Sequence, residues 1–308
     1  MISEQILRQW ASAPTVTKYK HAYEEVRKAL EKYLPSEALK SNASISSANF
    51  QVYLQGSYAN GTSIKEDSDV DIIVELKDVL FSYDVDSLTQ EEINTFHTIY
   101  PNTSSYSFKM FKNDVYNSLK TYFGEKVKFA PKSLKIPGDT LNVSADVVAC
   151  FEHRKYERFT FYTRDKYVPG IKFYNTETQQ KIVNYPKQHQ KNCDAKNVDT
   201  EGKFKDAIRI FKNFNRELKE KGLIEEKTAP SYFIENMIYN GSSQVFNGSY
   251  SDIVLKSSQF LTNDLENGRL SCYQCANEQD LLFGPNGWEE VKAKEFIFKT
   301  VSLLFEKV

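Results

Sequence analysis

The sequence predicts an α+β fold, because strand-like segments stand in the first half of the chain and helix-like segments fill the second half. Short apolar runs occur at residues 52–54, 72–74 and 143–149, and runs of this kind are typical of strands. Residues 203–221 carry apolar side chains at helical spacing and stop at Gly222, as an amphipathic helix does. The 308 residues are enough for one large domain or two ordinary ones.

The elements near the start of the chain follow from caps and periodicity. A short helix is predicted at residues 3–10, with Ser3 as its N-cap. A long helix is predicted over residues 15–34, where apolar and aromatic side chains recur at helical spacing. The strands that follow are interrupted by a predicted helix at residues 105–123. A further short strand is predicted at residues 127–129.

The second half of the chain begins with a mixed segment. Residues 155–185 combine aromatic and charged side chains, which predicts irregular structure and a crossover to a second lobe. Beyond the helix at residues 203–221, the Ser, Asn and Gly residues at 240–249 predict a loop. Three further helices are predicted at residues 232–239, 251–265 and 288–304.

Composition argues against several classes of protein. The net charge of −1 gives no overall basic field for nucleic acid. The four cysteines are placed irregularly, which argues against a disulfide framework; Cys272 with Cys275, and Cys193 with His189, are incomplete sets for structural zinc. No apolar run approaches the length of a membrane span, and the start of the chain lacks a signal-peptide pattern. We therefore expect a cytoplasmic protein without membrane attachment.

A turn of small residues follows the strand predicted at residues 52–54. Gly56 and Ser57 open the turn, and Gly61 with Thr62 close it. Small residues let backbone N–H groups and a serine hydroxyl approach phosphate oxygens, so the turn predicts a phosphate-binding site. A plain loop rich in Gly, Ser and Asn is the alternative, because a Gly-Ser pair alone is not specific.

Two carboxylates stand just before the strand predicted at residues 72–74. Asp69 and Asp71 are two residues apart, so an extended strand would point both to the same face. Two hard oxygen donors beside a phosphate-binding turn predict a magnesium site that shares its ligands with the substrate. Solvated charges at a strand end, or N-caps, are the alternatives. Asp67 is interpreted as an acid of the preceding loop.

A third carboxylate comes from the apolar run at residues 143–149. Asp146 lies inside this run, where an acid is costly unless it is paired or bound to a metal. We expect Asp146 to complete the magnesium site. The alternative is a buried ion pair with an arginine such as Arg154 or Arg158, since structural ion pairs perturb acids as well.

These residues together resemble the nucleotidyltransferases of the DNA polymerase β superfamily. More narrowly, the chain resembles the bacterial CD-NTases, the cGAS/DncV-like nucleotidyltransferases of antiphage signalling. The turn at residues 56–62 and the three aspartates match the whole superfamily. Similarity to this branch in particular comes from five later segments, at residues 146–156, 184–189, 204–212, 230–235 and 282–288.

The resemblance implies a polymerase-β-like mixed sheet, a long N-terminal spine helix and a C-terminal helical lobe. The catalytic lobe would span residues 1–165, and the helical substrate-binding lobe would span residues 166–308. It also implies two Mg²⁺ ions, for which Mn²⁺ could substitute, held by the three residues that would be both catalytic and metal-binding: Asp69, Asp71 and Asp146.

The resemblance further implies that Gly56, Ser57, Lys212 and Ser231 bind the triphosphate. Lys212 belongs to a basic stripe on the predicted helix at residues 203–221, and most of that stripe is interpreted as a solvated surface. The stripe consists of Lys205, Arg209, Lys212, Arg216 and Lys219. A cation near a triphosphate adds charge-assisted hydrogen bonds and neutralises developing charge.

The implied reaction is attack of a ribose hydroxyl on the α-phosphate of a nucleoside triphosphate, with pyrophosphate leaving. Successive steps would give a cyclic di- or trinucleotide, because a tethered hydroxyl attacks at high effective concentration. A separate effector protein would bind this product. The chain itself would act as a monomer on nucleoside triphosphates.

Two other functions stay open on the sequence. One is a terminal nucleotidyltransferase acting on RNA, a protein or a small molecule, although the near-neutral charge and the lack of a basic tail disfavour RNA. The other is a catalytically inactive nucleotide-binding regulator, which the presence of all three aspartates disfavours.

Overall fold

The computed structural model describes residues 2–14, 17–64, 69–101, 104–164, 166–284 and 287–305. The chain forms two compact units, and each is built from segments that are distant in sequence. The unit that we call the sheet unit consists of Val16–Gln55 and Asp67–Pro186. The helical unit consists of Met1–Thr15, Gly56–Glu66 and Lys187–Val308. The domain limits expected from the sequence, 1–165 and 166–308, stay a prediction.

Helices and strands are numbered in chain order over the described residues. The α-helices are α1 (Glu4–Ala11), α2 (Thr17–Lys40), α3 (Gly56–Ala59), α4 (Gln90–Ile99), α5 (Phe108–Phe123), α6 (Gly138–Leu141), α7 (Pro186–Asp199), α8 (Lys203–Glu220), α9 (Ser231–Tyr239), α10 (Tyr250–Glu266) and α11 (Glu290–Phe305). The strands are β1 (Phe50–Gln55), β2 (Val70–Asp84), β3 (Lys128–Phe129), β4 (Leu134–Ile136), β5 (Ala145–Tyr156), β6 (Tyr167–Tyr174) and β7 (Lys181–Asn184).

The sheet unit is organised around one mixed sheet. Its main path runs β1–β2–β5–β4–β3, and β6 pairs with the far end of β5 and with β7. Strands β2 and β5 are parallel, whereas the other pairs are antiparallel. A parallel pair inside a sheet is buried on both faces, which explains the apolar runs around Ile72 and Val147. The predicted α+β class with a mixed sheet is confirmed.

Two helices of the sheet unit pack on this sheet, and one of them is longer than predicted. Helix α5 contacts β5, and α2 contacts α5, β1 and β2. The predicted end of the long helix at residue 34 was wrong, because α2 continues through Pro35 to Lys40. Proline removes one backbone hydrogen bond, but Leu34 and Ala38 are fully buried on either side of it. Tertiary packing therefore outweighs the local preference to stop.

The irregular structure predicted for residues 155–185 was also wrong over much of its length. Strand β5 continues to Tyr156, and β6 and β7 widen the sheet. Position 170 in β6 requires glycine, because a Cβ there would lie 2.8 Å from the ring of Tyr185. Pro169 and Gly170 stand together inside β6, and this pair is more typical of a turn than of a strand.

The helical unit has its own apolar core around α8. Phe204, Ile208 and Phe211 of this helix are buried together with residues of α9, α10 and α11. Helix α1 packs on α8 and α10, and its N-cap is Ser3, whose hydroxyl accepts from Ile6 N at 3.4 Å. The predicted cap of α1 and the predicted helices at residues 203–221, 232–239, 251–265 and 288–304 are confirmed to within two residues. In the described ranges, no helix is both long and apolar enough to cross a membrane.

Candidate active site

Two of the predicted carboxylates are placed opposite each other by the sheet. Asp71 is the second residue of β2, Asp146 is the second residue of β5, and the two are paired in the parallel register. Paired residues of neighbouring strands point to the same face, so both carboxylates lie on one face of the sheet unit. Asp69 immediately precedes the first residue of β2.

The charges of these three acids interact. Burial, then the negative charge of Asp146, then that of Asp69 together raise the pKa of the Asp71 carboxyl from 3.8 to about 6. Two like charges beside the ionised carboxylate of Asp71 are a cost to the folded protein. A bound divalent cation would remove that cost, because it favours the ionised form of every carboxylate around it.

Asp146 does not form the buried ion pair with an arginine that was the alternative to a metal. Its Oδ1 lies 3.5 Å from the ammonium nitrogen of Lys135, whose side chain is 55% exposed. Arg154 instead contacts Glu152 at 2.7 Å, and Arg158 lies 3.7 Å from Glu92. The Asp146 carboxylate, with 26% of its side chain exposed, is therefore reachable from solvent.

The donor chemistry of this face suits magnesium. Carboxylate oxygens are the hard ligands that Mg²⁺ takes, and it keeps several water molecules, so a complete protein cage is not required. Across the part of the chain that the structure describes, no group of three His, Cys, Asp or Glu side chains is already gathered in ligand geometry. The charges of Asp69 and Asp146 therefore act on Asp71, but the three side chains do not form a closed set of metal ligands. Asp67 lies outside the described residues.

The predicted phosphate-binding turn belongs to the helical unit. Gly56 has a φ of 71° and Gly61 a φ of 65°, a region that glycine adopts without strain. Helix α3 forms the first part of the turn, and three backbone hydrogen bonds close the turn, of which one joins Gly61 N to Tyr58 O at 3.3 Å. Asn60 N donates to Gly56 O at 3.0 Å, and Thr62 N donates to Ser57 O at 2.9 Å.

Side chains of the long helices hold the carbonyl groups of this turn. Gln190 of α7 donates to Ala59 O at 3.1 Å. Arg209 of α8 donates to Gly61 O at 2.5 Å. Lys212, also of α8, donates to Thr62 O at 3.1 Å. Three carbonyl groups of the turn are therefore held by side chains from outside it. Arg209 is only 7% exposed, so the interpretation of the basic stripe as a solvated surface was wrong for this residue.

All three N–H groups of the Lys212 ammonium donate hydrogen bonds. Besides Thr62 O, its Nζ donates to Thr62 Oγ1 at 3.0 Å and to Glu235 Oε1 at 2.5 Å. A lysine ammonium has three donors, so these three acceptors use them all. A phosphate contact by Lys212 stays a prediction, and it requires the side chain to release one of these acceptors.

Ser231, the second serine predicted to bind the triphosphate, lies on a helix that contacts the turn. Ser231 is the first residue of α9 and is exposed, and α3 contacts α9 within the helical unit. Pro230 supplies no capping side chain, so no side-chain cap is bonded to the N-terminus of α9. Ser57 and Ser231 therefore stand on two elements that pack on each other.

Sequence reasoning missed the importance of Glu235. This carboxylate is 2% exposed and lies among the apolar residues Phe233, Ile234, Met237 and Ile238 of α9. Burial alone would raise the pKa of Glu235, but the neighbouring Lys212 and His189 hold that pKa well below its usual range. A single acid inside an otherwise apolar helix was the signal that could have found it.

Comparison with known proteins gives matches to residues of both units. Residues 35–120 match the family model of the nucleotidyltransferase domain, and residues 191–304 match that of the cGAS/DncV-like nucleotidyltransferase C-terminal helical domain. The chain is 36% identical over 299 residues to the cyclic UMP-AMP synthase of Rhodothermus marinus, covering 96% of this chain and 95% of that protein. It is 37% identical over 283 residues to the cyclic nucleotide synthase CdnE01 of Staphylococcus haemolyticus, covering 90% and 91%.

A solved structure gives the same picture for the fold. The Rhodothermus marinus CdnE c-UMP-AMP synthase, determined with Apcpp and Upnpp, superposes with a TM-score of 0.84 at 34% sequence identity. The match covers 98% of this chain and 96% of that chain. The similarity therefore includes the sheet unit and the helical unit.

Proposed function

This chain belongs to the family of cGAS/DncV-like nucleotidyltransferases, and we propose that it joins nucleoside triphosphates into a cyclic di- or trinucleotide with release of pyrophosphate. The predicted family is thereby confirmed. The observation that carries the proposal is the near-complete coverage of two relatives named as cyclic nucleotide synthases. A resemblance limited to the aspartates and the turn would be equally consistent with any nucleotidyltransferase. The resemblance to these two relatives also includes the helical unit.

The reaction that we propose is transfer at the α-phosphate. A ribose oxygen forms a bond to the α-phosphorus while the bond from that phosphorus to the pyrophosphate oxygen breaks. Asp69, Asp71 and Asp146 would hold the Mg²⁺ ions, for which Mn²⁺ could substitute, and bound Mg²⁺ supplies positive charge to the phosphate oxygens. With a pKa of about 6, Asp71 is ionised at neutral pH and can serve as a ligand.

The helical unit would bind the rest of the triphosphate. The Ser57 hydroxyl and the backbone that follows Gly56 would donate to the terminal phosphates, and Ser231 would donate from the exposed start of α9. Lys212 would reach a phosphate only after exchanging one of its present acceptors. Positioning and charge neutralisation are the contributions that proteins make to phosphoryl and nucleotidyl transfer.

We further propose that the product is a signal in antiphage defence, read by a separate effector protein, and that the chain works as a cytoplasmic monomer. The relative that was determined with Apcpp and Upnpp suggests ATP and UTP as the first substrate pair to test.

Product analysis tests the proposed function. The full chain is incubated with Mg²⁺ and all four ribonucleoside triphosphates, then with each pair, and the products are treated with phosphatase before mass spectrometry. We expect a phosphatase-resistant product with the mass of a cyclic di- or trinucleotide. Products that all keep a 5′-triphosphate, or that form only when RNA is added, would instead indicate a terminal transferase. Triphosphate binding without any turnover would indicate an inactive regulator.

A further inference from the structure

A cluster of buried polar side chains contacts the proposed triphosphate-binding turn, and the proposed reaction assigns a role only to its member Lys212. Its centre is the carboxylate of Glu235, which accepts from two residues of the turn. Asn60 Nδ2 donates to Oε2 at 2.9 Å, and Thr62 Oγ1 donates to Oε1 at 2.5 Å. On the other side, Lys212 donates to Oε1 at 2.5 Å, and His189 Nε2 lies 3.1 Å from Oε2.

We propose that Glu235 is a positioning residue, which holds the turn in the conformation that receives the triphosphate. The proposal rests on the phosphate-binding role given above to the turn. Asn60 and Thr62 are 6% and 0% exposed, so solvent cannot replace the contacts that Glu235 makes with them. Each oxygen of the carboxylate binds one turn residue and one residue of a long helix.

The contacts of Glu235 are transmitted to Ser57 through the backbone of the turn. Thr62 N donates to Ser57 O, and Asn60 N donates to Gly56 O. Fixing Asn60 and Thr62, the donors of these two bonds, therefore fixes Gly56 and Ser57, which open the turn. A displacement of about 1 Å in such a group is enough to weaken a phosphate contact, because hydrogen bonds weaken steeply with misalignment.

Glu235 also couples the turn to Ser231. The two residues are four apart on α9, and residues with this spacing lie on the same face of a helix. The helix that presents the Ser231 hydroxyl is therefore the helix that clamps the turn. This arrangement distinguishes Glu235 from an ordinary buried ion pair, which would stabilise the fold without setting the relative position of two phosphate-binding groups.

The buried charge explains why a glutamate is used. Lys212 is 3% exposed, and a buried ammonium without a counter-charge is strongly destabilising. Asn60 and Thr62 present only donors to the carboxylate, and an ionised carboxylate offers about four acceptor sites. A glutamine at this position would turn an N–H donor towards one of these donors, so the turn would shift although the side chain keeps its shape.

The test compares the affinity for a non-hydrolysable ATP analogue with the affinity for AMP, which lacks the β and γ phosphates. Thr62→Val removes the hydroxyl, and with it one acceptor of Lys212, but keeps the shape and the ion pair between Lys212 and Glu235, while Thr62→Ser restores the hydroxyl. We expect Thr62→Val and Glu235→Gln to weaken analogue binding about tenfold, with AMP binding unchanged. Thr62→Ser should bind like the wild-type chain.

Asn236→Ala is the matched control for a purely structural effect. Asn236 is 0% exposed, follows Glu235 on α9, and binds Tyr232 O at 2.7 Å and Ala276 N at 2.6 Å without touching the turn. This variant should lower the melting temperature and leave the affinity for the ATP analogue unchanged. Analogue binding by Thr62→Val equal to that of the wild-type chain would overturn the proposal, whatever the stability of Glu235→Gln.

The experiment separates this inference from the proposed function. Binding of the analogue is measured without any product, so a wild-type chain that binds it but makes no cyclic nucleotide would refute only the synthase activity. A wild-type chain that binds the analogue no more tightly than AMP would refute the role of the turn, and with it the positioning role of Glu235.

Discussion

The sheet unit and the helical unit both bring charged side chains together, but they do so in opposite ways. In the sheet unit, Asp71 meets the like charges of Asp146 and Asp69, and its pKa rises. In the helical unit, Glu235 meets only donors, and its pKa falls despite full burial. Like charges that gather with only the exposed Lys135 as a counter-charge indicate a place where a cation binds. Opposite charges that satisfy each other indicate a scaffold that holds another group in place.

The largest effect is expected when the like-charged group is broken. Asp71→Asn should lower the rate of nucleotide transfer on the order of a thousandfold or more, since a metal ion supplies several kcal/mol to the transition state. Its free energy of unfolding should stay the same or rise, because a repelled carboxylate is removed. Product formation and chemical denaturation of the same sample measure both quantities. Asp69→Asn should behave similarly.

Asp78→Asn is the matched control for that variant. Asp78 also lies in β2, but its side chain is 71% exposed and its φ of 63° is one that asparagine tolerates. Activity and stability should both stay near those of the wild-type chain. If Asp71→Asn lost no more activity than Asp78→Asn, the contrast between the two units would have no functional meaning.

Breaking the opposite-charged group should mainly cost stability. Lys212→Met leaves Glu235 without its cation, and the free energy of unfolding should fall by about 3–5 kcal/mol. The double variant Lys212→Met with Glu235→Leu should recover part of this loss, because no buried charge is left unpaired. Denaturant titration of the single and double variants gives the comparison. A loss below about 1 kcal/mol in Lys212→Met would show that the pair is not a scaffold.

Asp71 should make the free energy of unfolding depend on pH in a defined direction. Its pKa is raised from 3.8 to about 6, so the folded state holds a proton that the unfolded state has released between these values. The free energy of unfolding therefore falls as pH rises through this window, by about 2–3 kcal/mol, in protein free of divalent cations. Asp71→Asn should lack this component. Denaturation of both chains from pH 4 to pH 7 tests the sign, and equal slopes would contradict it.

The smallest effect is expected at the exposed partner of Asp146. Lys135→Ala removes an ion pair with a 3.5 Å separation, and exposed pairs contribute at most about 1 kcal/mol. We expect little change in melting temperature. A loss of several kcal/mol would show that Asp146 serves a structural ion pair, and the like-charged group would then contain only Asp69 and Asp71.

The two units also differ in how far the sequence could predict them. Asp71 was predictable as a candidate because a two-residue spacing at a strand end is a local pattern, and Asp146 stood out as an acid in an apolar run. The network of Glu235 was not predictable in the same way. Its members Thr62, Lys212 and Glu235 are separated by 150 and 23 residues, and no local pattern links them.

The same reasoning explains the errors in the fold. Helix α2 passes Pro35 because buried neighbours compensate for a missing hydrogen bond, and such neighbours are set by tertiary packing. Strand β6 was missed because Pro169 and Gly170 inside it are typical of a turn, and β7 was missed because it has only four residues. Local spacing predicts which chemistry is present, whereas long-range contacts decide how it is held.

Cation binding tests the central contrast most directly. Mn²⁺ is titrated, with electron paramagnetic resonance as the readout, into the wild-type chain, Asp71→Asn and Asp78→Asn, each with a non-hydrolysable ATP analogue. We expect tight Mn²⁺ binding by the wild-type chain and by Asp78→Asn, and a strong loss of Mn²⁺ affinity in Asp71→Asn. Equal Mn²⁺ affinity of Asp71→Asn and the wild-type chain would contradict the assignment of the carboxylates in the sheet unit as the cation site.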